Sequence, residues 1–184
     1  DPYVARRKYW DLYEGIAELD PPVEDLGYAN QDPHSRRLID ACDSHKFDIT
    51  RETVRRARQG YFANISYIDD KVGDLLETLR TTRMLDSTIV LFTSDHGDML
   101  GERGLWFKMS FFEGSARVPL MVAGPGVTPR LVNEPVSTLD INPTLADLAG
   151  KRVAVGATDS PQATLIPLEL LAASGLKPGV DFEV

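Results

Sequence analysis

Apolar residues recur at steps of three or four from Val54 through Ala57, Tyr61, Ile65, Ile68, Val72 and Leu75 to Leu79. That spacing draws one stripe along a long helix over residues 51–84. Thr50 stands where an N-cap belongs, and Ile49 and Val54 have the spacing of a hydrophobic staple. The pattern then changes to a continuous run, Ser87-Thr88-Ile89-Val90-Leu91-Phe92-Thr93. Short, β-branched and apolar on both faces, it predicts a fully buried strand over 87–93. A second run over 118–123, Val118-Pro119-Leu120-Met121-Val122-Ala123, predicts another strand, with Pro119 confined to its start because proline donates nothing to a ladder. Residues 137–149 predict a helix capped by Ser137 or Thr138 and closed by Gly150. Before the long helix, residues 3–19 predict a short helix stopped by Asp20-Pro21-Pro22, and 20–48 read as a long polar loop. Helix, strand, loop, strand, helix is the rhythm of an α/β domain with a mostly parallel sheet. Residues 1–150 are expected to form it. Residues 151–184, aperiodic and interrupted by Pro161, Pro167 and Pro178, are expected to be a peripheral tail.

Charge narrows the partners. The 184 residues carry 20 Lys and Arg against 28 Asp and Glu, a net charge of −8. That balance opposes general binding to nucleic acid or to an anionic membrane surface. Arg51, Arg55, Arg56 and Arg58 form a basic cluster, but Glu52 sits within it. No apolar run approaches the roughly 20 residues a membrane-spanning helix needs. A single cysteine, Cys42, excludes an intrachain disulfide and fits a reducing compartment, so a cytoplasmic location is expected. The opening residues Asp1-Pro2-Tyr3 have neither an initiator Met nor a signal-peptide core, so the chain is expected to be a piece of a longer protein.

Candidate chemistry is concentrated between Thr93 and Arg117. Asp95-His96-Gly97 follows directly on the first predicted strand, and in open α/β sheets ligands bind beyond the carboxyl ends of strands. A carboxylate and an imidazole at that edge can coordinate a divalent cation. Equally, Asp95 can cap a turn and His96 can be an ordinary loop histidine. Lys108 and Arg117 downstream add positive charge suited to an anionic ester held by a metal. Asp69, Asp70 and Asp74 read as solvated helix surface, and His34 and His45 as surface residues of the polar loop.

Ser94-Asp95-His96-Gly97-Asp98-Met99-Leu100-Gly101-Glu102, with Trp106-Phe107-Lys108 and Glu113-Gly114-Ser115-Ala116-Arg117-Val118-Pro119, resembles the sulfatase family of the alkaline phosphatase superfamily. His96, where many sulfatases carry Asn, resembles the branch that holds the choline sulfatases and the phosphonate or phosphodiester hydrolases. The helix with Tyr61, Asp69 and Val72-Gly73 resembles the segment that precedes this motif.

The resemblance implies an α/β, alkaline-phosphatase-like three-layer αβα sandwich, only part of which lies in this chain. It implies a metal-dependent sulfuric ester hydrolase acting on a small-molecule sulfate ester such as choline-O-sulfate, and a homo-oligomer. Asp95 and His96 are implied to be ligands of a divalent cation, calcium, magnesium or manganese. Lys108 is implied to be the catalytic cation on the sulfate or its ester oxygen. Glu113 and Arg117 are expected to form an internal pair supporting the loop. Trp106 is expected to be a core or lid aromatic, with a cation–π wall for a quaternary ammonium as the alternative. The implied nucleophile is a formylglycine made from the cysteine of Cys-x-Pro-Ser-Arg. Cys42, in Ala41-Cys42-Asp43-Ser44-His45, does not match, so that group is expected outside this chain and the isolated chain is expected to be inactive. Two competing readings are a phosphonate monoester or phosphodiester hydrolase of the same superfamily, and a catalytically inactive remnant serving as a binding module.

Overall fold

A computed structural model describes residues 3–16, 19–141 and 144 of the chain. Its elements in chain order are α1 (Arg7–Trp10), α2 (Pro33–Cys42), α3 (Arg51–Thr81), β1 (Val90–Thr93), β2 (Met99–Leu100), β3 (Trp106–Phe107), α4 (Glu113–Ala116) and β4 (Leu120–Ala123), with 3-10 turns between them. They fall into two compact units, one of Asp1–Glu77 with His96–Val118, the other of Thr78–Asp95 with Pro119–Val184.

In the first unit α3 is the axis. Thr50 caps it as expected, its Oγ1 accepting from Thr53 N at 3.2 Å. The helix is continuous to Thr81 rather than to residue 84. The predicted stripe is not its buried face. Ile65, Ile68 and Leu75 are exposed, whereas Arg58, Gln59, Gly60 and Ala63 are buried. The reason is the N-terminal segment, which lies along α3 and needs small residues to approach it. A Cβ on Gly60 would come within 2.5 Å of Tyr3 O. Aromatic edges and hydroxyls complete the seam. Tyr3 meets Tyr61 edge-on at 5.4 Å, Tyr9 OH donates to Asp70 at 2.7 Å, and Tyr13 OH bonds Ser66 at 2.7 Å. The short helix expected over 3–19 is only α1 followed by a 3-10 turn, Asp11–Tyr13.

The polar segment 20–48 is not a structureless loop. It contains α2, started by Asp32, whose carboxylate accepts from His34 N and Ser35 N at 2.9 and 3.0 Å. Pro33 is the first helical residue, where its missing amide costs nothing. α2 buries Leu38 and Ile39, and Ile39 joins Met99 and Leu105 in the core cluster, with Phe112 packed against it.

In the second unit β1 and β4 pair antiparallel, Val90 opposite Ala123 and Thr93 opposite Leu120. β2 and β3 of the first unit are also antiparallel, so both strand pairs among the described residues depart from the parallel expectation. β1 is shorter than residues 87–93 because Leu85–Ser87 forms a 3-10 turn, and it is half-buried rather than fully buried. β4 starts at Leu120, after Pro119, and is exposed along its length. Ser137 caps a 3-10 turn, Thr138–Asp140, through a reciprocal capping box with Asp140. The rest of the helix expected over 137–149, apart from Ile141 and Thr144, and the tail 151–184 lie outside the described residues. Among the described residues no helix is long and apolar enough to cross a membrane.

Two carboxylates tie this fold to pH. Asp20 accepts from Arg51 at 2.9 Å and also from Arg55, and Asp32 accepts from Ser35 and the start of α2. Arg51 hydrogen bonding is the main cause for Asp20 and Ser35 for Asp32, and both carboxyls fall from an ordinary 3.8 to about 2. A depressed carboxyl stabilises the fold above its unfolded value and loses that contribution as pH falls toward its folded one. The expected loss therefore lies between about pH 4 and 2. Thermal melts across that window should fall less steeply for Asp20→Asn and Asp32→Asn than for the natural sequence; parallel curves would refute the assignment.

Candidate active site

β1 ends at Thr93, and Asp95 follows in an exposed bend, accepting from Ser94 Oγ at 3.3 Å. The first unit resumes at His96. The half-buried His96 ring has Nδ1 2.9 Å from Gly97 O and Nε2 3.0 Å from the Lys108 ammonium. A carbonyl only accepts, so Nδ1 carries the ring hydrogen, and Nε2 receives a hydrogen bond from Lys108. The structure thus brings together His96 and Lys108, twelve residues apart.

Backbone closure makes the meeting possible. Gly97 N donates to Ser115 O at 2.8 Å, and a Cβ at Gly97 would lie 2.2 Å from Gly114 O. Only glycine lets the two segments come this close. The path to Lys108 is a tight hairpin in which Met99 pairs with Phe107 and Leu100 with Trp106. Gly101 N closes it on Leu105 O at 2.9 Å. Arg103, Phe107 and Met109 all have positive φ, 59°, 62° and 76°. Such conformations persist in non-glycine residues only where surrounding contacts hold them. The contacts are present: Val23 O accepts from Arg103 N, Gln31 Nε2 donates to Arg103 O, and His34 Nε2 donates to Met109 O at 3.0 Å. His34, expected to be a plain surface residue, touches the backbone next to Lys108.

Other expected residues sort differently. Arg117 bonds Glu113 at 3.3 Å, but both side chains are 82% exposed, so the pair is a surface contact of α4 worth little. Trp106 is half-buried and lines a cavity of about 500 Å³ with Asp20, Glu24, Asp25, Arg51 and Val54. Asp70 serves the α1–α3 seam, and hydrogen bonding from Lys8 lowers its carboxyl pKa. Burial, then the Asp98 charge, pushes the Tyr3 and Tyr61 hydroxyls up. The basic cluster on α3 dissolves into separate pairs, Arg51 and Arg55 with Asp20 and Arg58 with Glu102.

A family model described as Sulfatase matches residues 26–151. The chain belongs to the sulfatase family. With that comes the alkaline-phosphatase-like α/β fold. A phosphonate monoester hydrolase from Silicibacter pomeroyi, of known structure, superposes with a TM-score of 0.71 at 26% identity, over 97% of this chain and 36% of that one. Among curated proteins this sulfatase chain is 66% identical over 150 residues to a choline-sulfatase of Rhizobium meliloti (strain 1021), covering 82% of the chain and 29% of that protein. It is 46% identical over 110 residues to an arylsulfatase K of Danio rerio, covering 59% and 20%. The chain therefore spans about a third or less of the length of these relatives.

The residues present fit a divalent cation as part of a ligand set. Nδ1–H on a carbonyl is the arrangement that directs an imidazole Nε2 toward a metal; here the same lone pair accepts from the Lys108 ammonium, which a bound metal would displace. Among the described residues no group of three His, Cys, Asp or Glu side chains is placed to hold a metal.

Proposed function

We propose that this chain is the metal-loop portion of a sulfuric ester hydrolase acting on choline-O-sulfate or a similar small alkyl sulfate. The observation that carries the reading is the Lys108–His96 contact at 3.0 Å, made by the residue that follows Asp95 in the sequence. In this reading, Asp95 and His96 would hold a divalent cation, with the remaining ligands and the formylglycine nucleophile supplied by polypeptide outside these 184 residues. When bound, the cation neutralises negative charge on the sulfuryl oxygens.

The chain's own residues do the rest. Gly97 O fixes the His96 ring; the Nε2 lone pair, which accepts from the Lys108 ammonium here, would turn to the cation when it binds and release that ammonium toward the ester oxygen. As the S–O bond breaks, its electron pair moves onto the leaving oxygen. Lys108 places a positive charge there and delivers a proton, leaving a neutral amine and a free alcohol. An ammonium suits this better than a guanidinium, which does not release its proton. The closeness to the choline-sulfatase supports choline as the alcohol. A homo-oligomeric, cytoplasmic enzyme belongs to the same proposal.

A phosphonate monoester hydrolase is the second reading, favoured by the 0.71 TM-score of one such enzyme. Turnover by the full-length protein decides between them. Choline-O-sulfate should be hydrolysed with a higher kcat/KM than a phosphonate monoester, and a chelator should abolish the activity. A reversed preference would establish the second reading, and no turnover of either would leave the remnant reading standing. The purified 184-residue chain should be inactive alone.

A further inference from the structure

We propose that Arg58 and Glu102 form a positioning clamp that sets the Lys108 ammonium, so that part of the catalytic power of the loop is stored in α3. Arg58 is 6% exposed, about two turns into α3. Its Nη1 donates to Leu100 O at 3.1 Å and to Glu102 Oε1 at 2.5 Å. The other carboxylate oxygen, Glu102 Oε2, accepts from Leu100 N at 2.6 Å. Both backbone polar groups of Leu100 are thereby fixed by one ion pair, buried on its Arg58 side and partly buried on its Glu102 side.

Leu100 is half of the hairpin that carries Lys108, since it pairs with Trp106 while Met99 pairs with Phe107. Lys108 itself sits between two residues of positive φ, Phe107 and Met109. A strained segment has a lower-energy alternative near at hand, so its geometry depends on the groups that hold its base. Gln31 and His34 hold its outer side, at Arg103 O and Met109 O. The Arg58–Glu102 pair is the buried and charged member of this set. A pair needed only for cohesion has no reason to take both the N–H and the C=O of one hairpin residue, Leu100. Burying an ion pair is expensive, and an apolar pair of similar volume often serves stability as well.

The inference rests on Lys108 acting at the leaving oxygen. A group with that role matters most when the leaving alcohol is poor, and little when it departs readily. The test compares, in the full-length enzyme, an alkyl sulfate with 4-nitrophenyl sulfate for Arg58→Lys, Glu102→Gln, Lys108→Ala and the double variant Arg58→Lys/Lys108→Ala. Thermal melts accompany each. Arg58→Lys and Glu102→Gln should lower kcat for the alkyl ester by about 10-fold or more, well beyond the loss with 4-nitrophenyl sulfate, and leave KM within about 2-fold. In the Lys108→Ala background the Arg58 change should cost almost nothing further.

Equal losses on both substrates, or full additivity with Lys108→Ala, would overturn the clamp and leave the pair a structural one. If Lys108→Ala itself shows no leaving-group dependence, the reading of Lys108 fails, and the clamp with it. If Arg58→Lys does not fold, Glu102→Gln, which keeps shape and removes charge, decides alone.

Discussion

Lys108→Ala in the full-length enzyme is expected to lower kcat for choline-O-sulfate by about 10²–10³-fold with little change in KM. The size follows from removing one preorganised charge at the atom where negative charge develops. KM should hold because the ester oxygen carries little charge until the S–O bond stretches. Lys108→Arg separates charge from proton transfer. It keeps a cation at the site but cannot release a proton, so it should recover only part of the loss. The recovery should be largest for 4-nitrophenyl sulfate, whose leaving oxygen needs no proton. Steady-state kinetics on the two esters checks this. A Lys108→Ala enzyme within about 3-fold of the natural one on the alkyl ester would remove Lys108 from the chemistry.

Gly97→Ala should be nearly as damaging, although it removes no functional group. The added methyl would stand 2.2 Å from Gly114 O and 3.2 Å from Gly114 C, backbone atoms that cannot rotate away. One of the two segments must move, and the bond from Gly97 N to Ser115 O goes with it. Gly97 O is also the acceptor that orients His96. A displacement near 1 Å at such a point costs about 10²-fold in rate. Losing the orienting partner of a ligating histidine costs about 10–100-fold in metal affinity. Metal titration followed by activity, alongside a thermal melt, reads both effects. Wild-type metal affinity together with wild-type kcat would show that the Gly97–Gly114 approach does not constrain the site.

How much of this was legible beforehand depended on the range of the interaction. The long helix, its Thr50 cap and the two strand runs are set by neighbours within a few residues, so the spacing of apolar positions exposes them. Asp95, His96 and Lys108 were legible as a motif whose roles the family resemblance implied, but the contact between His96 and Lys108 was not. The 3.0 Å approach of Lys108 to His96 depends on the Gly97–Gly114 contact, the β2–β3 register and three residues of positive φ. α2 was hidden because its ten residues are mostly polar and Pro33 looks like a breaker unless Asp32 is seen to cap the helix. Arg58 looked like one cation in a basic cluster, since nothing local ties it to Glu102, 44 residues away.

Local composition and periodicity thus determined an acidic α/β chain, and the motif after its first strand carried the resemblance to sulfatases, because those features are written in short-range patterns of size, charge and turn chemistry. Tertiary structure alone decided which face of α3 is buried. The N-terminal segment selects a face by close approach to Gly60, not by hydrophobicity. It also decided that a buried arginine, not a surface one, anchors the hairpin of Lys108. Long-range pairing of charges depends on where the backbone brings them, and no spacing along the chain encodes that distance.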